Sequence, residues 1–560
     1  MSFSNLFRRK STTAVVRQGG DGEELTGLHR VLTVRDLTFF GIAAIIGGGT
    51  FSAIGNACFS GGPAVVILYV ICAIACGFTA MCYAEFASRV PVSGSAYTYA
   101  YVSFGELFAW IIGWALIMEY SIGNIYIAFS WSGYFTNLLE TFNIFLPEWL
   151  TINYKSAHAA FLDNKIGEGY DAWQNAPIIG NLRVIFDLPA VAINFLITYL
   201  VYKGTKESKN FSNIMVVVKL AIIALVIAVG VFYVDIDNWT PFMPNGFGGV
   251  MGGVSAVFFA YIGFDAVSTL AEESKNPQRD LPKGMIYSLV ICTVLYIILA
   301  LILTGMVSYT MLQVSDPLAE IFALKGVKWM LFVVSIAAVV AMTSVMLVFQ
   351  MGQPRIWMTM ARDGLMPKKF AEIHPKYKTP GFATIITGLV VGVPIFFTDE
   401  TFVLDFTSIG TLFAFVLVCG GVLLLSPQSP EELAERQTRG KFRIPYINSK
   451  IIFPLFVAVA AVSIRLLFPS FYAATFDFSG ENAATNVSMI VFFILCIVMA
   501  VLSYMKNLSL IPLLGLISCC YLLTGMAVSN WKWFGIWLLI GLVFYFSYGY
   551  KRSNLNIRKA

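Results

Sequence analysis

Two glycine-containing interruptions of long apolar segments have the residue types and spacing to build a binding site from main-chain atoms. The first is Gly47–Gly49, and the second is Phe259–Gly263, with the sequence FAYIG. Consecutive glycines lower helix propensity and let a ligand approach the backbone closely. A break inside an apolar segment leaves N–H and C=O groups unpaired, which is costly in lipid unless protein, water or a ligand satisfies them.

The direction of the chain indicates which groups each break would offer. The second half-helix after the first break should begin near Thr50, and its free N–H groups and positive dipole end suit a carboxylate. The half-helices that end at the breaks should leave carbonyl oxygens that suit an ammonium group. Main-chain polarity alone could therefore bind both charged ends of an α-amino acid, although close helix packing through small residues is an alternative. The expected donors are Gly49, Thr50 and Phe51, and the expected acceptors are Ile46, Phe259, Ala260 and Ile262.

Ionisable residues inside apolar segments are the second kind of candidate. Lys219 lies about ten residues, or roughly 15 Å as a helix, from the polar end of its segment. A buried ammonium group must be paired or coordinated, and burial disfavours its charged form, so proton exchange is predicted for Lys219. A permanent structural pair is the alternative. Glu119 could pair with Lys219, stabilise the core or contact substrate. Asp265 could cap the second half-helix or contact substrate.

The elements that must position these residues are membrane spans. The 560 residues are 58% hydrophobic and only 12% charged, whereas a soluble domain carries about 25% charged residues. A span needs roughly 20 apolar residues, and by that measure we predict 14 spans in an all-α polytopic membrane protein. They begin near Leu37, Ala64, Gly105, Leu188, Ile214, Gly249, Met285, Trp329, Ala383, Phe402, Ile451, Val487, Leu508 and Trp533.

Orientation follows from the distribution of the 37 Lys and Arg residues. Most of them fall on one side if the spans alternate, which predicts that both termini are cytoplasmic and accounts for the net charge of +5 without nucleic acid. The expected location is the plasma (inner) membrane. The predicted organisation is a tail (1–35), a ten-helix transport core (36–426), a cytoplasmic loop (427–450), four further helices (451–550) and a cytoplasmic tail (551–560).

The two interruptions lie in the first and sixth predicted spans. Interrupted helices five spans apart are expected from two inverted repeats of five helices, with a binding site at the breaks. The nine cysteines lie in or beside apolar segments and are interpreted as small packing residues rather than as metal ligands.

Several motifs resemble those of a known family. Gly41–Phe51 (GIAAIIGGGTF) resembles the first-helix motif of the amino acid–polyamine–organocation transporters. Phe258–Thr269 (FFAYIGFDAVST), which continues through Ala271–Pro282, closely resembles the sixth-helix signature of the cationic amino acid transporter branch. Ala361–Pro367 (ARDGLMP) resembles that branch's loop after span eight. The similarity covers roughly residues 30 to 425.

The resemblance implies a LeuT-like fold of two inverted five-helix repeats with broken helices 1 and 6, followed here by four extra helices. It also implies that Lys219 replaces a sodium ion and bridges the first span to hydroxyls of Thr343 and Ser344 on span eight. The family often has Asp where this chain has Ala115, which argues against a cationic substrate. The predicted substrate-binding residues are Ile46, Gly47, Gly48, Gly49, Thr50, Phe259, Ala260, Ile262 and Phe264. Met342, Met346 and Phe349 on span eight could form further walls, although residues at such helical spacing are more often part of the core.

These observations predict a secondary transporter that imports an amino acid together with protons. An exchanger without net proton coupling and a non-transporting amino acid sensor are the alternatives. No nucleophile–base pair, metal-ligand spacing or nucleotide-binding motif suggests an enzyme, and we expect no cofactor other than the coupling proton. Partners other than substrate and the bilayer, such as a small membrane subunit or a second copy, are left open.

Overall fold

The computed structural model describes residues 7–10, 30–90, 92–180, 182–314, 316–425, 442–467, 483–526 and 528–557. Most of the predicted 1–35 tail and of the 427–450 loop therefore lies outside the described residues, as do residues 468–482.

The described chain is a bundle of α-helices with one small hairpin. The helices of the predicted core are α1 (Val34–Ile45), α2 (Ile54–Gly61), α3 (Val65–Arg89), α4 (Ser95–Ser103), α5 (Glu106–Thr141), α6 (Tyr154–Leu162), α7 (Glu168–Asn175), α8 (Leu188–Lys203), α9 (Thr205–Gly230), α10 (Gly246–Gly252), α11 (Val254–Phe259), α12 (Pro277–Met306), α13 (Pro317–Leu324), α14 (Lys328–Arg362), α15 (Gly381–Gly392) and α16 (Glu400–Leu425). The helices that follow are α17 (Ile452–Leu467), α18 (Ala483–Lys506), α19 (Leu510–Thr524), α20 (Val528–Phe544), α21 (Tyr550–Arg552) and α22 (Asn554–Ile557).

Shorter elements connect these helices. Strands β1 (Ile178–Ile179) and β2 (Leu182–Arg183) form an antiparallel hairpin between α7 and α8. Turns of 3₁₀ or π type occupy Gly49–Ala53, Gly62–Ala64, Glu148–Leu150, Val231–Tyr233, Ile236–Trp239, Phe264–Glu273, Tyr309–Met311, Lys368–Ala371, Pro394–Phe396 and Tyr545–Gly549.

Each predicted span coincides with helical structure in the described part of the chain. Nine helical segments there are long and apolar enough to cross a membrane by themselves, and four shorter apolar helices accompany them. The all-helical, polytopic character predicted from composition is therefore confirmed. The number of crossings and the inverted repeat stay predictions.

Both predicted helix breaks are present. Helix α1 ends at Ile45, and Ile46 adopts an extended conformation with φ −83° and ψ 100° before the π-type turn Gly49–Ala53. Helix α11 ends at Phe259, and Gly263 takes φ +120° before a 3₁₀ helix begins. A Cβ at Gly263 would lie 2.6 Å from the Cβ of Ala44, so glycine meets a steric as well as a conformational requirement there.

Helix α5 lies at the centre of the bundle, where it packs against α14 and α16. Helix α1 packs against α9, α12 and α14. Its start is fixed by a capping box, in which Thr33 N donates to Asp36 Oδ2 at 2.9 Å. Asn213 of α9 donates to the other carboxylate oxygen of Asp36 at 2.9 Å, so the first broken helix is tied to α9 at its beginning.

Helix α20, the last of the predicted spans, is attached to α5 by indole groups. Trp114 Nε1 donates to the carbonyl of Trp537 at 2.9 Å, and Trp537 Nε1 donates to the carbonyl of Trp114 at 3.0 Å. The two rings are stacked with centroids 4.8 Å apart. Trp110 Nε1 adds a hydrogen bond to the carbonyl of Gly541 at 2.8 Å, so three indole groups hold the two helices together.

The two ends of the described chain meet at one face of the bundle, which the Lys and Arg distribution predicts to be cytoplasmic. Ser553 Oγ donates to Glu106 at 2.5 Å, and Arg8 forms an ion pair with the same carboxylate at 3.6 Å. Lys10 pairs with Asp363, just after α14. Residues near both termini therefore contact the starting end of α5 and the end of α14.

Candidate functional site

The three glycines of the first break each face a different helix. A Cβ on Gly47 would lie 2.3 Å from Val345 Cγ2 of α14, and a Cβ on Gly48 would lie 2.6 Å from Ile127 Cδ1 of α5. A Cβ on Gly49 would lie 2.4 Å from the Cα of Ala260 in the second break. The glycine triplet thus permits three close contacts, and the last of them joins the two breaks.

The N–H groups after the first break are only partly available. Thr50 N and Phe51 N donate to the carbonyl of Gly47 at 2.9 and 3.0 Å. The prediction that these two N–H groups are free is therefore wrong for this conformation, because the backbone turns tightly enough to use its own acceptor. The Thr50 hydroxyl donates to Tyr296 at 3.1 Å.

Side chains satisfy the carbonyl oxygens at the end of α1. Tyr296 OH donates to the carbonyl of Ile45 at 2.8 Å. Lys219 Nζ donates to the carbonyls of Ala43 at 3.1 Å and Ile46 at 2.8 Å. The Ile46 oxygen, which we predicted as an acceptor for a ligand ammonium group, already accepts from Lys219. In the second break, Phe259 O accepts from Ile262 N at 3.2 Å.

Lys219 is fully buried and lies where α9 passes the end of α1. Its third contact is Ser344 Oγ of α14 at 3.0 Å. Thr343 does not reach the ammonium group, because its hydroxyl accepts from Trp131 at 2.9 Å and donates to the carbonyl of Val339 at 2.7 Å. The structure therefore brings Lys219 and Ser344 together at the first break and leaves Thr343 on another face of α14.

Glu119 and Asp265 form a separate group of buried carboxyls. Glu119 faces α16, where a Cβ on Gly410 would lie 3.9 Å from the Glu119 Cβ. Its carboxyl lies near the Asp265 carboxyl and the Thr411 hydroxyl. Asp265 accepts from Tyr120 OH at 3.5 Å. It lies within the first turn of its helix, after Gly263 at the cap position, and its carboxyl contacts the backbone N–H groups of Gly263 and Ala266. The Glu119–Lys219 pair is not present, whereas Asp265 contacts backbone N–H groups at the start of its helix, in keeping with a capping role.

A small cavity lies at the two breaks, and every residue around it is apolar. Gly48, Gly49, Phe259 and Ile262 are the predicted site residues that line it. Phe264 instead packs against Tyr83 and Phe415. The remaining predicted residues Ile46, Gly47, Thr50 and Ala260 border the breaks without lining the cavity. The complete lining is Ala44, Ile45, Gly48, Gly49, Ile127, Phe259, Ile262, Val345 and Phe349.

Four lining residues, Ala44, Ile45, Ile127 and Val345, were not predicted from sequence. Val345 lies one helical turn before Phe349, so the i, i+4 spacing on α14 was the available signal. Met342 and Met346, predicted as walls, are fully buried but line no part of this cavity. Ile127 carries no chemical signal, since apolar residues fill most of α5.

Comparison with known proteins identifies related chains. The family model described as "Amino acid permease" matches residues 32–502, and the model for the "C-terminus of AA_permease" matches residues 508–553. The branched-chain amino acid permease BcaP of Bacillus subtilis (strain 168) is 37% identical over 558 residues, 99% of each chain.

Two other relatives are named for different substrates. The methylthioribose transporter of Bacillus subtilis (strain 168) is 41% identical over 448 residues, 79% of this chain and 89% of that protein. Cationic amino acid transporter 4 of Homo sapiens is 29% identical over 589 residues, 95% of this chain and 89% of that protein.

Proposed function

Because the chain belongs to the amino acid permease family, we propose that it is a secondary transporter that imports a neutral amino acid together with protons. The proposal includes a LeuT-like core of two inverted five-helix repeats, four additional spans, and a cell-membrane location with cytoplasmic termini. It takes its main support from the two helix breaks, where main-chain groups and apolar side chains enclose a small cavity that must widen to admit substrate.

The walls of the cavity favour an uncharged, apolar side chain. Ile127, Val345 and Phe349 come from α5 and α14 and offer neither a carboxylate for a cationic substrate nor a hydrogen-bond partner for a polar one. A buried polar or charged group without a partner is costly. The absence of an acidic residue at Ala115 agrees with this choice, and so does the similarity to BcaP, which is named as a branched-chain amino acid permease.

Lys219 provides a route for proton coupling. An ammonium group has three N–H donors, and Lys219 uses them on Ala43 O, Ile46 O and Ser344 Oγ. A neutral amine has two donors, so loss of the proton leaves one of these acceptors without its bond. We propose that protonated Lys219 holds α1 against α14 and that deprotonation loosens this connection.

Substrate and Lys219 would share one main-chain acceptor. In the proposed bound state, the substrate's ammonium group contacts the Ile46 carbonyl, and its carboxylate replaces the Gly47 carbonyl as the acceptor for Thr50 N and Phe51 N. Because a carbonyl oxygen has two lone pairs, Ile46 can accept from protonated Lys219 and from the substrate at the same time, as symport of the substrate with a proton requires.

Uptake into proteoliposomes tests this function. A panel of labelled amino acids, offered with and without an inward proton gradient, should show gradient-stimulated uptake of branched or other apolar amino acids. Uptake that ignores the gradient and requires internal amino acid would indicate an exchanger. Absence of uptake by folded protein that still binds an amino acid would indicate a sensor.

A second candidate substrate is an uncharged thioether sugar. The N–H groups that would take a carboxylate are engaged with Gly47 in this conformation, and the methylthioribose transporter is 41% identical to this chain. Methylthioribose therefore belongs in the same uptake panel. Its uptake in preference to every amino acid would replace the amino acid proposal.

A further inference from the structure

The half-helix after the first break is held by side chains from three other helices. Tyr134 OH of α5 donates to the carbonyl of Phe51 at 2.6 Å. Thr50 Oγ1 donates to Tyr296 of α12 at 3.1 Å. The third contact is made by Glu400 at the first residue of α16, whose Oε1 accepts from Ser52 Oγ at 3.4 Å.

Glu400 also connects this half-helix to α5. The same Oε1 atom accepts from Ser130 Oγ at 3.1 Å. Ser52 is 5% exposed and Ser130 is 6% exposed, so both hydroxyls are buried. Glu400 itself is partly exposed. Its carboxylate therefore lies between the buried interior and the surface, at the start of α16.

The two serines lie one turn away from residues that line the cavity. Ser52 is three residues after Gly49, and Ser130 is three residues after Ile127. Gly49 and Ile127 both line the cavity, Gly49 from the first break and Ile127 from α5. The carboxylate therefore joins both walls on the side away from the end of α1, which Lys219 holds.

We infer that Glu400 is a positioning residue that closes the outer end of the substrate path by holding Ser52 and Ser130 together. The inference rests on the proposed transport function. Opening toward the outside requires the half-helix to move away from α5, and this movement breaks the contact of Glu400 with at least one serine. No contact between Glu400 and substrate is required.

The neighbouring acidic residue has different partners and supplies a matched control. Asp399 Oδ1 accepts from Phe402 N at 3.0 Å at the start of α16, and its Oδ2 pairs with the exposed Lys155 of the outer segment at 3.2 Å. Asp399→Asn preserves an oxygen for the helix cap and removes a charge one residue from Glu400. On α5, the titratable side chain that lies beside Glu400 is that of Tyr126.

Accessibility of a cysteine placed at Ile127 tests the inference. An Ile127→Cys protein in oriented vesicles is treated with a membrane-impermeant maleimide from one side at a time. The labelling rate is corrected for labelling of the nine native cysteines, measured in the parent protein. Glu400→Ala should increase the labelling rate from the outer side about tenfold, which corresponds to about 1.4 kcal/mol in favour of the open state. Glu400→Gln, which keeps an acceptor but loses the stronger charge-assisted bond, should give an intermediate rate.

Asp399→Asn should leave the labelling rate unchanged. Unchanged outer labelling in both Glu400 variants, or an equal increase from both sides, would overturn the role assigned to Glu400. Gel filtration of the Glu400→Gln protein, which is nearly isosteric, separates loss of closure from loss of folding. The labelling needs no substrate. Faster labelling of the Glu400 variants, combined with no uptake by the parent protein, would therefore refute the transport function and leave the closing role of Glu400 intact.

Discussion

The ammonium nitrogen of Lys219 lies 2.8 Å from the carbonyl oxygen of Ile46, at the residue where the first helix breaks. A charged side chain from α9 thus occupies a main-chain acceptor that the break leaves open. The same nitrogen reaches Ser344 on α14. Three helices therefore meet at one protonatable atom, next to the cavity proposed to hold substrate.

Replacement of Lys219 by alanine should abolish stimulation of uptake by the proton gradient. The variant leaves two buried carbonyls without their donor, which costs about 1–3 kcal/mol for each unsatisfied group. We expect at least a tenfold loss of gradient-stimulated uptake, measured in proteoliposomes. Lys203→Ala, at the exposed end of α8, is the control. Full gradient stimulation in the Lys219→Ala protein would contradict the proposed coupling.

Substitution of Gly49 by alanine should be more damaging than the same substitution at Gly48. The added Cβ meets the backbone of Ala260 at 2.4 Å, whereas at Gly48 it first meets the end of the flexible Ile127 side chain. Uptake should therefore fall further in Gly49→Ala than in Gly48→Ala, each compared at equal amounts of folded protein. Gly77→Ala, where the Cβ has no neighbour within 4 Å, should behave as the parent. The reverse order of the two variants would show that the contact between the breaks is unimportant.

Phe349→Leu should shift substrate preference toward larger side chains. Phe349 lines the cavity, and its replacement removes volume from the wall without adding a polar group. The ratio of kcat/KM for a larger to a smaller apolar substrate should rise several-fold. Phe396→Leu, at a partly exposed aromatic residue outside the cavity, serves as the control. An unchanged ratio would mean that the substrate side chain lies elsewhere.

Trp537→Phe should weaken the attachment of α20 to α5. The variant keeps an aromatic ring for stacking on Trp114 and removes one buried hydrogen bond, which contributes about 0.5–1.5 kcal/mol. The thermal midpoint in detergent should fall by a few degrees while the substrate profile is retained. Trp531→Phe removes an indole from a side chain that is 37% exposed and should have a smaller effect. Equal thermal midpoints for the two variants would argue against the reciprocal hydrogen bonds between Trp114 and Trp537.

Asp187 should make stability depend on pH. Burial raises the pKa of its carboxyl to about 7, although hydrogen bonds from Ser132 and Ala190 oppose the shift. The folded state therefore binds this proton more tightly than the unfolded state. The contribution of this tighter proton binding to the free energy of unfolding is complete below the unfolded pKa near 4. It is lost as the pH rises through about 7.

The thermal midpoint should accordingly decrease between about pH 5 and pH 8, and the decrease should be smaller in Asp187→Asn. The exposed Asp163 provides the control variant Asp163→Asn. A pH dependence identical in the parent and in Asp187→Asn would show that this carboxyl does not titrate in that range.

Features set by long apolar segments and by special residue types were predictable. Lipid solvation requires each spanning segment to satisfy its own backbone, so the length of the apolar segments located the helices. Glycine located both breaks because no other residue permits contacts as close as Gly49 with Ala260. Lys219 was visible because a charge at that depth needs partners.

Rotation about helix axes and local turn geometry were not predictable. Thr343 and Ser344 are adjacent in sequence, yet neighbouring residues on a helix point in directions about 100° apart, and only Ser344 faces Lys219. The N–H groups of Thr50 and Phe51 were expected to be free, but a tight turn pairs them with Gly47. Glu400 was not predicted, because a carboxylate at the edge of a span is common at a membrane surface and carries no specific signal.

The reciprocal indole contacts between Trp114 and Trp537 also have a consequence for biosynthesis. Helix α5 is synthesised well before its partner helix α20. The surface of α5 that carries Trp110 and Trp114 must therefore wait, in the company of lipid or a membrane chaperone, until more than 400 further residues have been inserted. A chain truncated before Trp537 would therefore leave this surface of α5 without its indole partners.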